Sequence, residues 1–210
     1  MKIVKTLLCK SRLLFIFYRT TYYGLYFYDW RYLRMQSSLD LEKDFTFEFF
    51  IRIDLDIMDD NSDIFTKSRI TDTWTNGTFR RGNHYYGFGL AKNNSAYFFI
   101  NNTNYKHQCR EWFPDFLDLV NDRGTWTYMG ISVSEFSEYS TNVCIYRRGW
   151  TTKAYCRVIH CKLNSHNTDQ YYYIGGRGLN AAIKTIHIWN YAKAINVMNE
   201  SPLMGLISKD

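Results

Sequence analysis

Residues 45–54 read FTFEFFIRID, and their alternation decides the fold class. Every second residue from Phe45 to Ile53 is apolar, and most of the residues between them are polar. A β-strand points successive side chains to opposite faces, so this pattern predicts a strand with one buried face. We expect Phe47 and Phe49 to point into the core. Phe50 interrupts the polar face and predicts that this second face is covered as well.

Strand-like patterns recur along most of the remaining chain, separated by Asn- and Gly-containing turns. The predicted strands are 25–28, 86–90, 96–101, 125–134, 142–147, 154–161, 170–174 and 182–190. Helical spacing occurs only in the first 18 residues, at 112–121 and at 191–199. Many short strands with turns between them are typical of an antiparallel sandwich or barrel.

The glycines at 175, 176 and 178 raise the alternative of a phosphate-binding loop. Such a loop needs a following helix whose N-terminal amides face the anion. The segment that follows, 182–190, has the alternation of a strand instead. We therefore interpret these glycines as a bend between two strands and reject a nucleotide-binding function.

Four motifs, in this order, resemble the laminin-G-like, concanavalin A-like jelly-roll family. They are LYFYDWRYLRMQSSLDLEKDFTFEFFIRI (25–53), GTWTYMGISVS (124–134), NVCIYRRGW (142–150) and YYYIGGRGLNAAIKTIHIWNYAKAI (171–195). The resemblance covers about residues 24–199 and implies an all-β, antiparallel jelly-roll β-sandwich. The chain departs from the family pattern at Lys184, at Arg147-Arg148 and at Ala181-Ala182. The polar features of the family's site are therefore not carried over.

The first 23 residues differ in charge and in pattern from the rest of the chain. The whole chain has a formal net charge of +6, yet Asp29 is the only acid before Asp40. Apolar residues recur there at helical spacing, which predicts a basic amphipathic helix. The uninterrupted apolar run, 13–18, is shorter than the roughly 20 residues of a membrane span. The predicted organisation is a basic helical arm (1–23), a jelly-roll domain (24–199) and a C-terminal tail (200–210).

The arm is expected to contact a partner. Its basic and aromatic side chains suit an acidic protein surface, rRNA or anionic lipid headgroups, and these alternatives stay open. The residues expected at this contact are Lys5, Arg12, Phe15, Phe17, Tyr18 and Arg19.

Acidic side chains do not form the pair that glycoside hydrolysis requires. A retaining glycosidase needs two carboxylates about 5–5.5 Å apart. Glu48 has no acidic neighbour at a suitable spacing, and Glu135 and Glu138, three residues apart, are predicted on opposite strand faces. We expect no catalytic residue.

The pattern of ligand-type residues predicts no metal site and no cofactor. The acidic run Asp54, Asp56, Asp59, Asp60, Asn61 and Asp63 lacks the glycine and the distal Glu of a calcium loop, so a solvated acidic loop is expected. The zinc-type residues Cys156, His160, Cys161 and His166 lack a repeated short spacing. Buried thiols and a hydrogen-bonded histidine are expected there.

The cysteines of this chain are odd in number and irregularly spaced. They are Cys9, Cys109, Cys144, Cys156 and Cys161. A disulfide framework is read from an even, regularly spaced set, so this set predicts none.

These observations favour a non-catalytic accessory subunit of a large assembly, in which the jelly-roll is an interaction module. A basic, aromatic start and only 2 prolines favour a mitochondrial protein, peripheral to the inner membrane. A respiratory-chain complex is the first choice of assembly and a ribosome the second. The expected partners are other subunits, with anionic lipid or rRNA at the arm, and no small-molecule substrate is expected.

Two other functions remain as alternatives. The first is a carbohydrate-binding module, secreted or on a cell surface, in which Trp74, Trp112 and Trp150 beside Asn-rich loops supply an aromatic platform. The second is a glycoside hydrolase, which the missing carboxylate pair disfavours.

Overall fold

A computed structural model describes residues 24–27, 32–35, 41, 43–54, 62–69, 74–75, 78–79, 84–101, 108–163, 170–176 and 178–200. The strands are β1 (Leu25–Phe27), β2 (Tyr32–Met35), β3 (Phe45–Ile53), β4 (Ser62–Arg69), β5 (Trp74–Thr75), β6 (Thr78–Phe79), β7 (His84–Leu90), β8 (Ala96–Asn101), β9 (Gln108–Phe113), β10 (Thr127–Ser137), β11 (Ser140–Arg148), β12 (Thr152–Ile159), β13 (Gln170–Gly175) and β14 (Ala181–Trp189). A short helix, α1 (Ile195–Asn199), follows β14.

Twelve of these strands form two antiparallel sheets. Sheet A has the order β1-β14-β3-β10-β11-β12, and sheet B has the order β2-β13-β4-β7-β8-β9. The small β5–β6 hairpin stands apart from both. The first strand therefore pairs with the last, as the motif order implied, and Leu25 lies opposite Ile183. The predicted antiparallel jelly-roll sandwich is confirmed.

Aromatic side chains fill the space between the two sheets. Phe47 and Phe49 are completely buried, which confirms the predicted inward face of β3. The Phe47 ring stacks on Phe65 of sheet B with centroids 4.7 Å apart, and Phe65 stacks on Tyr172 at 5.7 Å. The Phe47–Phe65 contact joins the two sheets, whereas the Phe65–Tyr172 contact lies within sheet B. Both stabilise the sandwich, because each large ring removes much apolar surface from water.

Two disulfide bonds correct the prediction from the cysteine pattern. Cys109 in β9 is bonded to Cys161 just after β12, and Cys144 in β11 is bonded to Cys156 in β12. The first bond joins the edge strands of the two sheets. Cys144 and Cys156 are register partners on neighbouring strands. The expectation of free buried thiols was wrong because these pairings depend on strand register, which cysteine spacing along the chain does not reveal.

The bend after β13 agrees with the sequence prediction, whereas the segment after β9 does not. Gly175 and Gly178 have φ values of 79° and 68° between β13 and β14, so the bend between strands is confirmed. The predicted helix at 112–121 is wrong: β9 ends at Phe113, and turns follow. The apolar residues that suggested a helix, Phe116 and Leu117, lie between these turns and pack into the core.

Candidate functional site

The outer face of sheet A holds a buried carboxylate with several donors. Glu48 on β3 is fully buried. Its carboxylate accepts hydrogen bonds from Tyr128 Oη at 2.5 Å and from Trp189 Nε1 at 2.6 Å. Lys193 Nζ lies 2.6 Å from it as an ion pair. A buried charge is tolerated when it is paired and hydrogen-bonded, so this network is structural in character.

The segment after β14 covers this face and closes the network. The Lys193 backbone N–H donates to Thr46 Oγ1, and Tyr146 Oη donates to Asn199 Oδ1 at 2.5 Å. Met198 is fully buried above Gly130, where an added Cβ would lie 2.8 Å from its sulfur. Burial raises the pKa of Tyr146. The covered second face predicted from Phe50 is confirmed, since Phe50 packs in this cluster.

The tip of the β11–β12 hairpin presents an exposed tryptophan. Trp150 is 77% exposed, while its backbone N–H donates to Asp122 Oδ1 at 2.7 Å. Asp122 also forms a buried ion pair with Arg147. Burial lowers the pKa of Arg147, and the nearby carboxylate of Asp118 opposes that shift. Gly149 fits only because it lacks a Cβ, which would collide with Asp122. The Asp122 carboxylate thus anchors the tip of the β11–β12 hairpin through Arg147 and the Trp150 backbone.

Sheet B carries rings laid flat against its outer face. Gly87 and Gly89 on β7 face Phe99 and Tyr97 on β8. A Cβ on Gly87 would lie 2.7 Å from the Phe99 ring, so the ring occupies the space above the backbone. Tyr97 Oη reaches across Gly89 and donates to Asp63 Oδ1 at 2.6 Å. Both rings therefore pack against the backbone of β7, and Tyr97 is also held by the hydrogen bond of its hydroxyl group.

The edge strand β9 completes this aromatic layer, which we call the Trp112 face (Tyr97, Phe99, Arg110 and Trp112). Trp112 lies beside Tyr97 with ring centroids 5.3 Å apart, and it is 40% exposed. The guanidinium of Arg110 lies 4.9 Å from the Tyr97 ring centre and 5.5 Å from that of Trp112. A planar cation over aromatic faces is held by the ring quadrupoles. The result is a partly exposed indole with a fixed cation beside it.

The tryptophans of the carbohydrate-binding alternative therefore have different environments. Trp112 and Trp150 are both exposed, but Trp112 lies in β9 of sheet B and Trp150 lies in the turn between β11 and β12 of sheet A. The side chain of Trp74 lies outside the described part of the structure. Arg110 and Tyr97 were not singled out from the sequence. The alternation of Gly87 and Gly89 with apolar residues, opposite Tyr97 and Phe99, is the signal that indicates rings over glycines.

Several predicted residues lie outside the described part of the chain. They include the whole partner-contact set, Lys5, Arg12, Phe15, Phe17, Tyr18 and Arg19, together with the rest of the arm 1–23 and His166. The same holds for Asp56, Asp59, Asp60 and Asn61 of the acidic run. Those expectations stay predictions.

Some acidic residues lie in other structural elements than the sequence predicted. Asp63 is buried in β4 and does not lie in a solvated loop. It pairs with Gly89 of β7, and its carboxylate accepts the hydrogen bond from Tyr97. Asp54 is paired with Arg52 at 2.8 Å. Glu138 lies in the turn after β10 and so on no strand face, while Glu135 forms ion pairs with Lys43 and Lys162.

No cluster of three or more His, Cys, Asp or Glu side chains suited to a metal ion occurs among the described residues. Within the same residues, no helix has the length and apolar character needed to cross a bilayer. A cavity near Leu117 and Asp122 measures about 10 Å³, room for about one water molecule.

Solved structures with the same architecture include sugar-binding proteins. The chain resembles a carbohydrate-binding module (CBM40) of the Ruminococcus gnavus IT-sialidase bound to α2,3-sialyllactose, with a TM-score of 0.54, 7% identity and coverage of 83% of this chain and 90% of that one. It also resembles the leech intramolecular trans-sialidase, with a TM-score of 0.54, 9% identity and coverage of 76% and 23%.

A botulinum neurotoxin serotype D binding domain is similar too, with a TM-score of 0.53, 12% identity and coverage of 85% of this chain and 40% of that one. The chain thus spans well under half of that domain. No family model matches the chain, and no curated protein does. At these identities the likeness shows the fold alone. The chain is an antiparallel jelly-roll β-sandwich, and its membership of a particular family within that fold stays a prediction.

Proposed function

We propose that the chain is a non-catalytic carbohydrate-binding module that contacts sugar through the Trp112 face. The observation that carries the proposal is the 40% exposed Trp112 ring, held in place beside Tyr97. Sugar rings have one face of C–H groups, and such a face packs on an aromatic ring. Small-ligand sites combine aromatic contact with a few placed polar groups, and Arg110 is such a group.

Two further observations support this function over the mitochondrial subunit. The CBM40 module is bound to α2,3-sialyllactose and the leech trans-sialidase to 2,7-anhydro-Neu5Ac, and this chain has a similar architecture. The two disulfides favour an oxidising compartment, because cytosolic thiols are kept reduced. We therefore propose a secreted or surface location, which was the alternative from the sequence.

The accessory subunit remains the second candidate, and Trp150 is the observation that favours it. A 77% exposed tryptophan at a hairpin tip, whose backbone is held by Asp122, has the character of an anchor for a protein partner. The basic composition of the arm also fits a binding partner in an assembly. Under this proposal Trp150, and not Trp112, carries the contact.

A glycan array separates the two candidates. The full chain is applied together with two variants, Trp112→Ala and Trp150→Ala, which both truncate exposed side chains. Carbohydrate binding predicts retention of a set of glycans by the wild type and by Trp150→Ala, and its loss in Trp112→Ala. The proposal fails if no glycan is retained by the wild type, or if retention depends on Trp150 alone. Melting temperatures of the three proteins show that each is folded.

A further inference from the structure

Arg110 has no carboxylate partner among the described contacts, whereas three other described arginines form ion pairs. Arg147 is buried with Asp122, Arg52 lies beside Asp54, and Arg157 lies 3.6 Å from Glu111. Among the described contacts, Arg110 has aromatic rings as neighbours and neither a carboxylate nor a hydrogen-bond acceptor. A guanidinium offers five N–H donors, so this partly buried group has its donors available.

The adjacent acid cannot neutralise Arg110. Successive residues of a strand point to opposite faces, and Glu111 follows Arg110 directly in β9. The Glu111 carboxylate is on the side that faces Arg157 of β12. Asp63, on the face of Arg110, already accepts the Tyr97 hydroxyl hydrogen. The Trp112 face therefore presents one fixed positive charge beside an exposed indole.

The geometry restricts what such a group binds well. A guanidinium fork matches the two oxygens of a carboxylate, and the match is best when the fork is already oriented. Contacts with the Tyr97 and Trp112 rings hold the Arg110 guanidinium in place before any ligand arrives. The indole beside it offers a flat apolar contact of the size of a sugar ring. A carboxylate attached directly to a sugar ring satisfies both groups at once.

We propose that the Trp112 face selects sugars that carry a carboxylate, with Arg110 binding the carboxylate and Trp112 packing on the sugar ring. This inference rests on the proposed carbohydrate-binding function and adds the class of ligand. Arg110 is the residue that determines specificity, while Trp112 supplies affinity for acidic and neutral sugars alike.

Calorimetric titration with 3′-sialyllactose and with lactose tests the selection, since the two probes differ by the acidic sugar. The wild type should bind the acidic probe about 10–100-fold more tightly, the range expected for a charge-assisted hydrogen bond. Arg110→Gln should reduce binding of the acidic probe to the level of lactose and leave lactose unchanged. Arg110→Lys should restore only part of the preference, because an ammonium lacks the planar fork. The matched control, Arg157→Gln, removes the same charge from the neighbouring edge strand and should change neither affinity.

Each contrary outcome has a definite meaning. Lactose binding that depends on Trp112 without any acidic preference overturns this inference and leaves carbohydrate binding intact. Equal loss in Arg110→Gln and Arg157→Gln shows a general charge effect and also overturns it. Competition by inorganic phosphate at the concentration of the acidic probe identifies a simple anion site instead. Binding of neither probe overturns the inference, and an empty glycan array overturns the function with it.

Discussion

Glu48 and Arg110 are charged residues on the outer faces of the two sheets, and their surroundings differ. Glu48 receives Tyr128, Trp189 and Lys193 within 2.6 Å and is sealed beneath the segment that ends in α1. Arg110 rests on two rings and has no acceptor among the described contacts. The first arrangement stabilises the fold, because both carboxylate oxygens accept strong hydrogen bonds and the charge is paired. The second leaves capacity for a ligand.

Structural polar groups and binding groups differ in whether the protein itself supplies their hydrogen-bond partners and compensates their charge. Burial of a charge is costly unless it is compensated, so a fully compensated group belongs to the fold. A partly exposed group that is held in place without a protein acceptor donates to water, and a ligand can replace that water.

The largest effect is expected from breaking the Glu48 network. Lys193→Met leaves the Glu48 carboxylate buried without its cation and should lower the free energy of unfolding by about 3–5 kcal/mol. The double variant Glu48→Gln/Lys193→Met should recover part of this loss, because the uncompensated charge is gone. Chemical denaturation of both proteins measures it. Near-wild-type stability of Lys193→Met would contradict the structural role of Glu48.

A slightly smaller effect is expected from the disulfide at the edge of the Trp112 face. The Cys109–Cys161 bond spans 52 residues of sequence and the Cys144–Cys156 bond spans 12. Chain entropy then predicts about 4 kcal/mol for the first and about 3 kcal/mol for the second. Denaturation of the two double Cys→Ser variants gives both values. A larger loss for the shorter loop would contradict this ranking.

Gly89→Ala should disturb the support of the Trp112 face. An added Cβ would lie 2.6 Å from the Ser62 carbonyl oxygen and would collide with the Tyr97 ring. We expect a loss of about 1–3 kcal/mol, the usual cost of overpacking. Gly176→Ala is the control, since its nearest neighbour would be 3.5 Å away. Thermal melting compares the two, and equal stability would show that the Tyr97 ring is not fixed by Gly89.

The smallest effect on folding is expected at Arg110. Arg110→Gln removes a cation–π contact at a partly exposed site, so the free energy of unfolding should fall by less than about 1 kcal/mol. Urea denaturation beside Lys193→Met provides the direct contrast. A loss of several kcal/mol would place Arg110 with Glu48 among the groups that hold the fold.

Local alternation predicted much of sheet A. The face of β3 follows directly from residues 45–53, and the bend at Gly175 follows from the strand patterns on each side of it. β4 was not predicted, because both Ile64 and Phe65 are buried at a bulge that breaks the alternation. A central strand such as β4 forms because it pairs and packs with neighbouring strands. The sequence of the segment alone does not reveal those neighbours.

The candidate site was predicted less well than the fold. Trp112 was named as an aromatic platform, but its partners Tyr97 and Arg110 become its neighbours only through the pairing of β8 with β9. Residues 112–121 were expected to be helical, which removed Trp112 from any strand face. The Glu48 network was missed for a similar reason, since Lys193 lies 145 residues away in sequence.

The most direct test of carbohydrate binding at the Trp112 face follows the indole N–H signals by NMR. The ¹⁵N-labelled chain is titrated with 3′-sialyllactose, and the signals are assigned with single Trp→Phe variants. We expect the Trp112 signal to shift on titration. The signals of Trp189, which is hydrogen-bonded to Glu48, and of Trp150, at the hairpin tip, should not shift. An unchanged Trp112 signal at saturating ligand, or a shift confined to Trp150, would contradict it.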